Sequence, residues 1–89
     1  MELRQLQFFL EVEKQQSFTK AAKSMYVAQP AISKSIAKLE QELGVILFKR
    51  AEKKVTLTPE GLEFFPHAKN MIEEAALAKL KMEELSGLE

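Results

Sequence analysis

Gln29, Pro30, Ser33, Lys34 and Ala37 recur at spacings that gather them on one side of a helix. They are small, hydrogen-bonding or cationic, and none is bulky and apolar. An amide on such a face can read a base edge and a lysine can reach a guanine or a phosphate, so the row suits the major groove of DNA. Lys38, four residues beyond Lys34, joins these candidate DNA contacts. A second basic group, Lys49, Arg50, Lys53 and Lys54, sits between two apolar segments and suits contact with phosphates or entry into a minor groove.

Other chemistries lack their residues. His67 is the single histidine and there is no cysteine, so no metal-ligand spacing exists and no cofactor is implied. Phosphate-loop, dinucleotide and hydrolase-elbow motifs are absent. The adjacent pairs Glu73-Glu74 and Glu83-Glu84 fall on a helix, where neighbours in sequence do not face one another. Tyr26 and the phenylalanines do not interleave with basic residues as a single-strand platform would. The chain reads as a non-enzyme.

The candidate face belongs to the second of two short helices spanning Ser17 to Gly44, broken at 26–28. Its opposite side carries Ile32, Ile36, Leu39 and Leu43 at steps of four, three and four, the pattern of a buried stripe. Ser17 is placed to cap the first helix, where Phe18, Ala21, Ala22 and Met25 form an apolar face and Lys20 and Lys23 stay outside. A link of three or four residues is that of a helix-turn-helix. Pro30 fits the first turn of the following helix and Gly44 fits its left-handed end, while Ala28 lacks the side-chain acceptor of a usual cap, which costs on the order of 1 kcal/mol.

Ahead of this pair, residues 2–16 predict a scaffold helix with Leu3, Leu6, Phe9 and Leu10 as its stripe. Behind it, arms at 45–48 and 55–58 predict a hairpin with the charged run 49–54 as its tip, packed on the helices through Leu47, Phe48, Val55 and Leu57. A projecting basic hairpin beside a recognition helix is a wing.

Thr58, Pro59 and Glu60 start a last helix with a capping hydroxyl, a proline and a first-turn acid. Pro66 predicts an interruption and a bend near 64–66. Beyond it Met71, Ala75, Ala78, Met82 and Leu85 repeat at four, three, four and three, widened by Ile72, Ala76 and Leu80. This is a heptad seam with alanines that permit close approach, and it predicts dimerisation through Met71, Ile72, Ala75, Ala78, Met82 and Leu85. The competing arrangement folds the same band back onto the chain's own core.

The 89 residues suit one small fold, divided here into a DNA-binding part at 1–58 and a linker helix at 59–89. The net charge is zero, but residues 1–58 carry a balance of +4 and residues 59–89 one of −4, a basic working end and an acidic one. No apolar run approaches a membrane span of about 20 residues and no signal-peptide pattern opens the chain, so a cytoplasmic location is expected.

Five blocks, MELRQLQFF (1–9), SFTKAA (17–22), AQPAISKSI (28–36), LEQELGVILFKR (39–50) and LTPEG (57–61), resemble the N-terminal domain of LysR-type transcriptional regulators. The likeness covers essentially the whole chain in order. It implies a mainly α fold, a winged helix-turn-helix of three helices plus a two-stranded β-hairpin wing, followed by a long linker helix that pairs antiparallel in a homodimer. It also implies a bacterial regulator whose small-molecule effector binds a C-terminal domain that these residues do not contain. By position, Gln29, Pro30, Ser33 and Lys34 match the recognition-helix segment, Ser17, Thr19 and Lys20 the helix start near the DNA backbone, and Arg50 the wing arginine near the minor groove. The family usually has Ser in place of Ala28 and Arg in place of Lys34. Lysine lacks the planar fork of arginine, so phosphate contact suits Lys34 better than base reading. The reading is therefore a homodimer binding an interrupted, dyad-symmetric site in double-stranded DNA. Its rival is a protein-interaction module whose basic face is merely solvated.

Overall fold

The apolar stripe of the first segment folds as α1 (Leu3–Gln15), and the two short periodic segments fold as α2 (Phe18–Met25) and α3 (Gln29–Leu43). A hairpin of β1 (Phe48–Ala51) and β2 (Lys54–Leu57) follows, and α4 (Pro59–Leu85) ends the chain. The computed structural model describes residues 1–51 and 53–87. Glu52 in the expected charged tip and residues 88 and 89 of the expected linker segment lie outside them. The predicted fold class, a winged helix-turn-helix with a long trailing helix, is borne out.

Local chemistry sets the boundaries. The Ser17 hydroxyl oxygen accepts the Lys20 N–H at 3.0 Å and Thr58 Oγ1 accepts that of Gly61 at 3.0 Å, so α2 and α4 start where a capping side chain stands. Gly44 ends α3 at φ 73°, in the left-handed region, and no side chain caps that helix at Ala28.

Phe9 is the centre of the core. It is fully buried in α1, with the rings of Phe48 and Phe64 each 5.2 Å away and that of Phe65 at 6.5 Å. Ile32, Ile36 and Leu39 close the core from α3, as their spacing predicted, and Ala68 brings in α4. Gln5 is the one buried polar side chain among the described residues: its Oε1 accepts the Glu2 N–H at 2.7 Å and its Nε2 donates to Glu42 at 3.1 Å, tying α1 to the end of α3.

The hairpin departs from its predicted arms. The strands pair antiparallel as Phe48 with Leu57, Lys49 with Thr56, Arg50 with Val55 and Ala51 with Lys54. Lys49, Arg50 and Lys54 therefore lie within the ladder rather than on a long charged tip. The strand assignment starts at Phe48, and the segment before it is held by both α3 and Thr58. Glu40 Oε2 accepts the Leu47 N–H at 2.8 Å, Thr58 Oγ1 donates to the Ile46 carbonyl at 2.6 Å, and the Thr58 N–H donates to the Leu47 carbonyl at 3.0 Å.

Helix α4 stays helical through Pro66, against the predicted interruption. The proline removes the bond to the Leu62 carbonyl, but Leu62 is exposed, on a side where water can replace it, and Phe64, Phe65 and Ala68 hold the helix to the core around that point. The 27 residues of α4 span about 40 Å at 1.5 Å each, which makes the molecule 51 × 26 × 18 Å. Along the heptad seam Met71 and Ile72 pack half-buried against the chain's own core and Ala75 is half-buried, whereas Ala78, Met82 and Leu85 are exposed.

Candidate nucleic-acid interface

The starts of α2 and α3 and the hairpin converge on one polar cleft of about 230 Å³. Ser17, Thr19, Gln29, Arg50, Lys53 and Lys54, all predicted contacts, line it. Two local features make the convergence possible. Gln16 turns the chain at φ 54°, and its carbonyl accepts the Val55 N–H at 3.2 Å, which holds β2 against the α1–α2 turn. The α2–α3 turn is closed by Tyr26 at φ 58° and by the Val27 N–H donating to the Ala22 carbonyl at 3.0 Å, so the two helix starts stay in a fixed relation.

On α3, Pro30, Lys34 and Ala37 are exposed, as a groove-entering face requires. Gln29 and Ser33 are half-buried at its edge, where Gln29 Nε2 donates to Ser33 Oγ at 2.6 Å. That bond uses one of the two amide N–H donors, which leaves the second N–H and the carbonyl oxygen for a base edge. Lys38 is exposed beside Glu42. The N-terminal ammonium at 3.0 Å, then the Gln5 amide, then the Lys38 charge hold the Glu42 carboxyl below its ordinary range, so part of the Lys38 field is spent within the protein. Lys20 is exposed on α2 but does not line the cleft.

Lys49, Lys53 and Lys54 are exposed on the hairpin. Arg50 is exposed as well, and its guanidinium carbon lies 4.1 Å from the centre of the Phe18 ring.

Three residues that shape this surface carried no local sign of doing so. Phe18 reads as a core residue, yet it underlies Arg50. Glu40, with no role predicted from the sequence, fixes the root of the hairpin by accepting the N–H groups of Leu47 and Phe48 at 2.8 and 3.4 Å. Gln16 reads as a helix-ending polar residue, yet it anchors β2. A period-2 reading of Phe48 and Arg50 would have placed both on one side of a strand, but not over which helix.

Among the described residues there is no cluster of potential metal ligands, and no helix is long and apolar enough to cross a membrane.

The family described as bacterial regulatory helix-turn-helix protein, lysR family, matches residues 3–62. The HTH-type transcriptional regulator BsdA of Bacillus subtilis (strain 168) is 42% identical over 86 residues, which is 96% of this chain and 30% of BsdA. In solved structures, the DNA-binding domain of BenM in complex with catB site 1 DNA superimposes with a TM-score of 0.92 at 38% identity, covering 97% of each chain. The CbnR DNA-binding domain in complex with DNA also gives 0.92, at 32% identity, covering 97% of this chain and 99% of that one. The chain spans 22–30% of the length of the first three curated relatives it matches. With a family match over most of the chain and the winged helix-turn-helix in place, this chain belongs to the LysR family of bacterial regulatory helix-turn-helix proteins.

Proposed function

We propose that the chain binds double-stranded DNA sequence-specifically as a homodimer, as the DNA-binding part of a cytoplasmic transcriptional regulator, and that it catalyses no reaction. The observation that carries this reading is the single cleft joining Ser17, Thr19, Gln29, Arg50, Lys53 and Lys54 beside the exposed flank of α3. Donors and cations from three elements face one direction, with Pro30, Ser33 and Lys34 entering the major groove and the hairpin lying at the adjacent minor groove. That similar domains are solved with DNA supports the same partner here.

Helix α4 (Pro59–Leu85), in the linker part of the chain, pairs two copies. The accessible surface is 6344 Å², against about 5,300 Å² for a compact protein of 10.1 kDa, an excess of about 1,000 Å². Leu77, Leu80, Met82 and Leu85 supply apolar surface there at 46–81% exposure, and a standard interface takes about 800 Å² from each partner. A pair of recognition helices related by a two-fold axis fits an interrupted, dyad-symmetric site. Any effector response belongs to parts of the regulator beyond these residues.

Selection from a random duplex library with the purified chain tests the reading. Enrichment of an interrupted dyad motif, with affinity falling steeply as salt rises, supports it. A single enriched half-site would refute the dimer, and no enrichment would leave the protein-interaction reading in its place.

A further inference from the structure

We infer that Phe18 is a positioning residue for DNA binding, holding the Arg50 guanidinium on its ring so that the arginine meets a backbone phosphate at the cleft. This rests on the DNA-binding reading above and adds to it the identity of the contact and the residue that prepares it.

The geometry makes the arrangement a consequence of core packing. Phe18 is 6% exposed, and its ring meets Phe48 edge-on at 5.8 Å and 73°, so the platform cannot swing away. Phe48 and Arg50 are two apart on β1 and therefore point to the same side of the strand. Seating Phe48 against one part of the Phe18 ring brings Arg50 over another, at 4.1 Å. A ring attracts the cation through its quadrupole and takes none of its N–H groups. A carboxylate partner would take two of them, and among the described residues no ion pair involves Arg50. The donors stay available in a cleft that also holds Thr19, Lys53 and Lys54 and no acidic side chain among its described lining. An arginine restrained in this way has less freedom to lose on binding than one extended from a free hairpin tip. Lying over the ring and still exposed on β1, it presents those donors to a phosphate at the cleft.

A double-mutant cycle on the 89-residue chain tests this, with a random-sequence duplex pool at low salt as the probe. Arg50→Ala should weaken binding about tenfold, Phe18→Leu about fivefold with Arg50 present and less than about twofold in the Arg50→Ala background, and Phe18→Tyr should stay near the parent. Equal losses from Phe18→Leu in both backgrounds would show a core residue only and overturn the proposal. The free parent chain supplies an independent readout: the Arg50 Cδ protons should resonate upfield from the Phe18 ring current, and a random-coil position for them would also overturn it. Failure of the parent to bind the pool at all would refute the DNA-binding reading itself, whereas binding without coupling refutes only the role of Phe18.

Discussion

Replacing Gly61 with alanine sets two effects of opposite sign against each other. Gly61 is the third residue of α4, and alanine in a helix is favoured over glycine by about 1 kcal/mol. A Cβ at this position would fall inside the van der Waals envelope of the Leu47 carbonyl oxygen and 2.9 Å from Leu57 Cδ2. The Leu57 side chain can shift, but the Leu47 carbonyl cannot turn aside freely, because it accepts the Thr58 N–H at 3.0 Å. The start of α4 must then lift from the 46–47 segment. Overpacking of this kind costs about 1–3 kcal/mol. The Thr58 bonds to the Leu47 and Ile46 carbonyls add about 1 kcal/mol each if they break. Against the helix gain, the net expectation is a loss of about 2–4 kcal/mol, a fall in Tm of at least about 10 °C for a chain of this size. Urea and thermal unfolding followed by circular dichroism, at one fixed protein concentration so that self-association contributes equally, will measure it. A variant as stable as the parent, or more so, would show that helix propensity wins and that α4 is not seated against Leu47.

Glu40→Ala removes the acceptor for the Leu47 and Phe48 N–H groups and should cost about 2 kcal/mol in urea unfolding, while Glu40→Gln, which keeps an oxygen there, should cost clearly less; equal losses would contradict the clamp. Gln29→Ala should flatten base preference at one position of the selected motif, costing about 1–3 kcal/mol on the preferred site, and a uniform loss across sequences would move Gln29 to the backbone contacts. Met82→Lys places a charge on the exposed part of the α4 seam and should shift sedimentation towards monomer; an unchanged profile would remove Met82 from the interface. Acid should weaken the fold through two carboxyls held below their ordinary value of 4.5: Glu11, by hydrogen bonds from Gln15 and then Ser24, and Glu42, by the N-terminal ammonium and then Gln5. Because the folded chain binds these protons less readily than the unfolded one, their contribution is present above about pH 4.5 and is lost as pH falls through the lowered values. Glu11→Gln together with Glu42→Gln should flatten the acid limb of a stability profile, and an unaltered limb would contradict the assignment.

The wing shows where local reading ends. Alternation in 55–58 announced a strand, and the apolar run 45–48 announced something to pair with it. The register nevertheless begins at Phe48, with the Leu47 N–H taken by Glu40 on α3 and the Ile46 carbonyl by the Thr58 hydroxyl just past β2. Glu40 is not local to the hairpin. Arg50 is a second case: its charge was legible, but its direction depends on Phe18 lying beneath β1, which is a matter of packing between distant segments. The α4 seam is a third. Its heptad period is a property of the helix alone, yet only the packed structure divides it between Met71 and Ile72, half-buried on the chain's own core, and Met82 and Leu85, left exposed.

What the sequence determined by itself was the set of elements and their faces. The steps between Ile32, Ile36 and Leu39 select a helix and its buried side, and Ser17, Thr58 and Gly44 set ends, because capping and periodicity act within a few residues of chain. The short α2–α3 link and the five sequence blocks were enough for the winged helix-turn-helix. The tertiary structure decided which predicted contacts share a cleft, which backbone groups remain for a strand, and which apolar surface is spent internally. Those outcomes depend on donors, acceptors and side-chain volumes brought together from distant parts of the chain, and no local pattern carries that information.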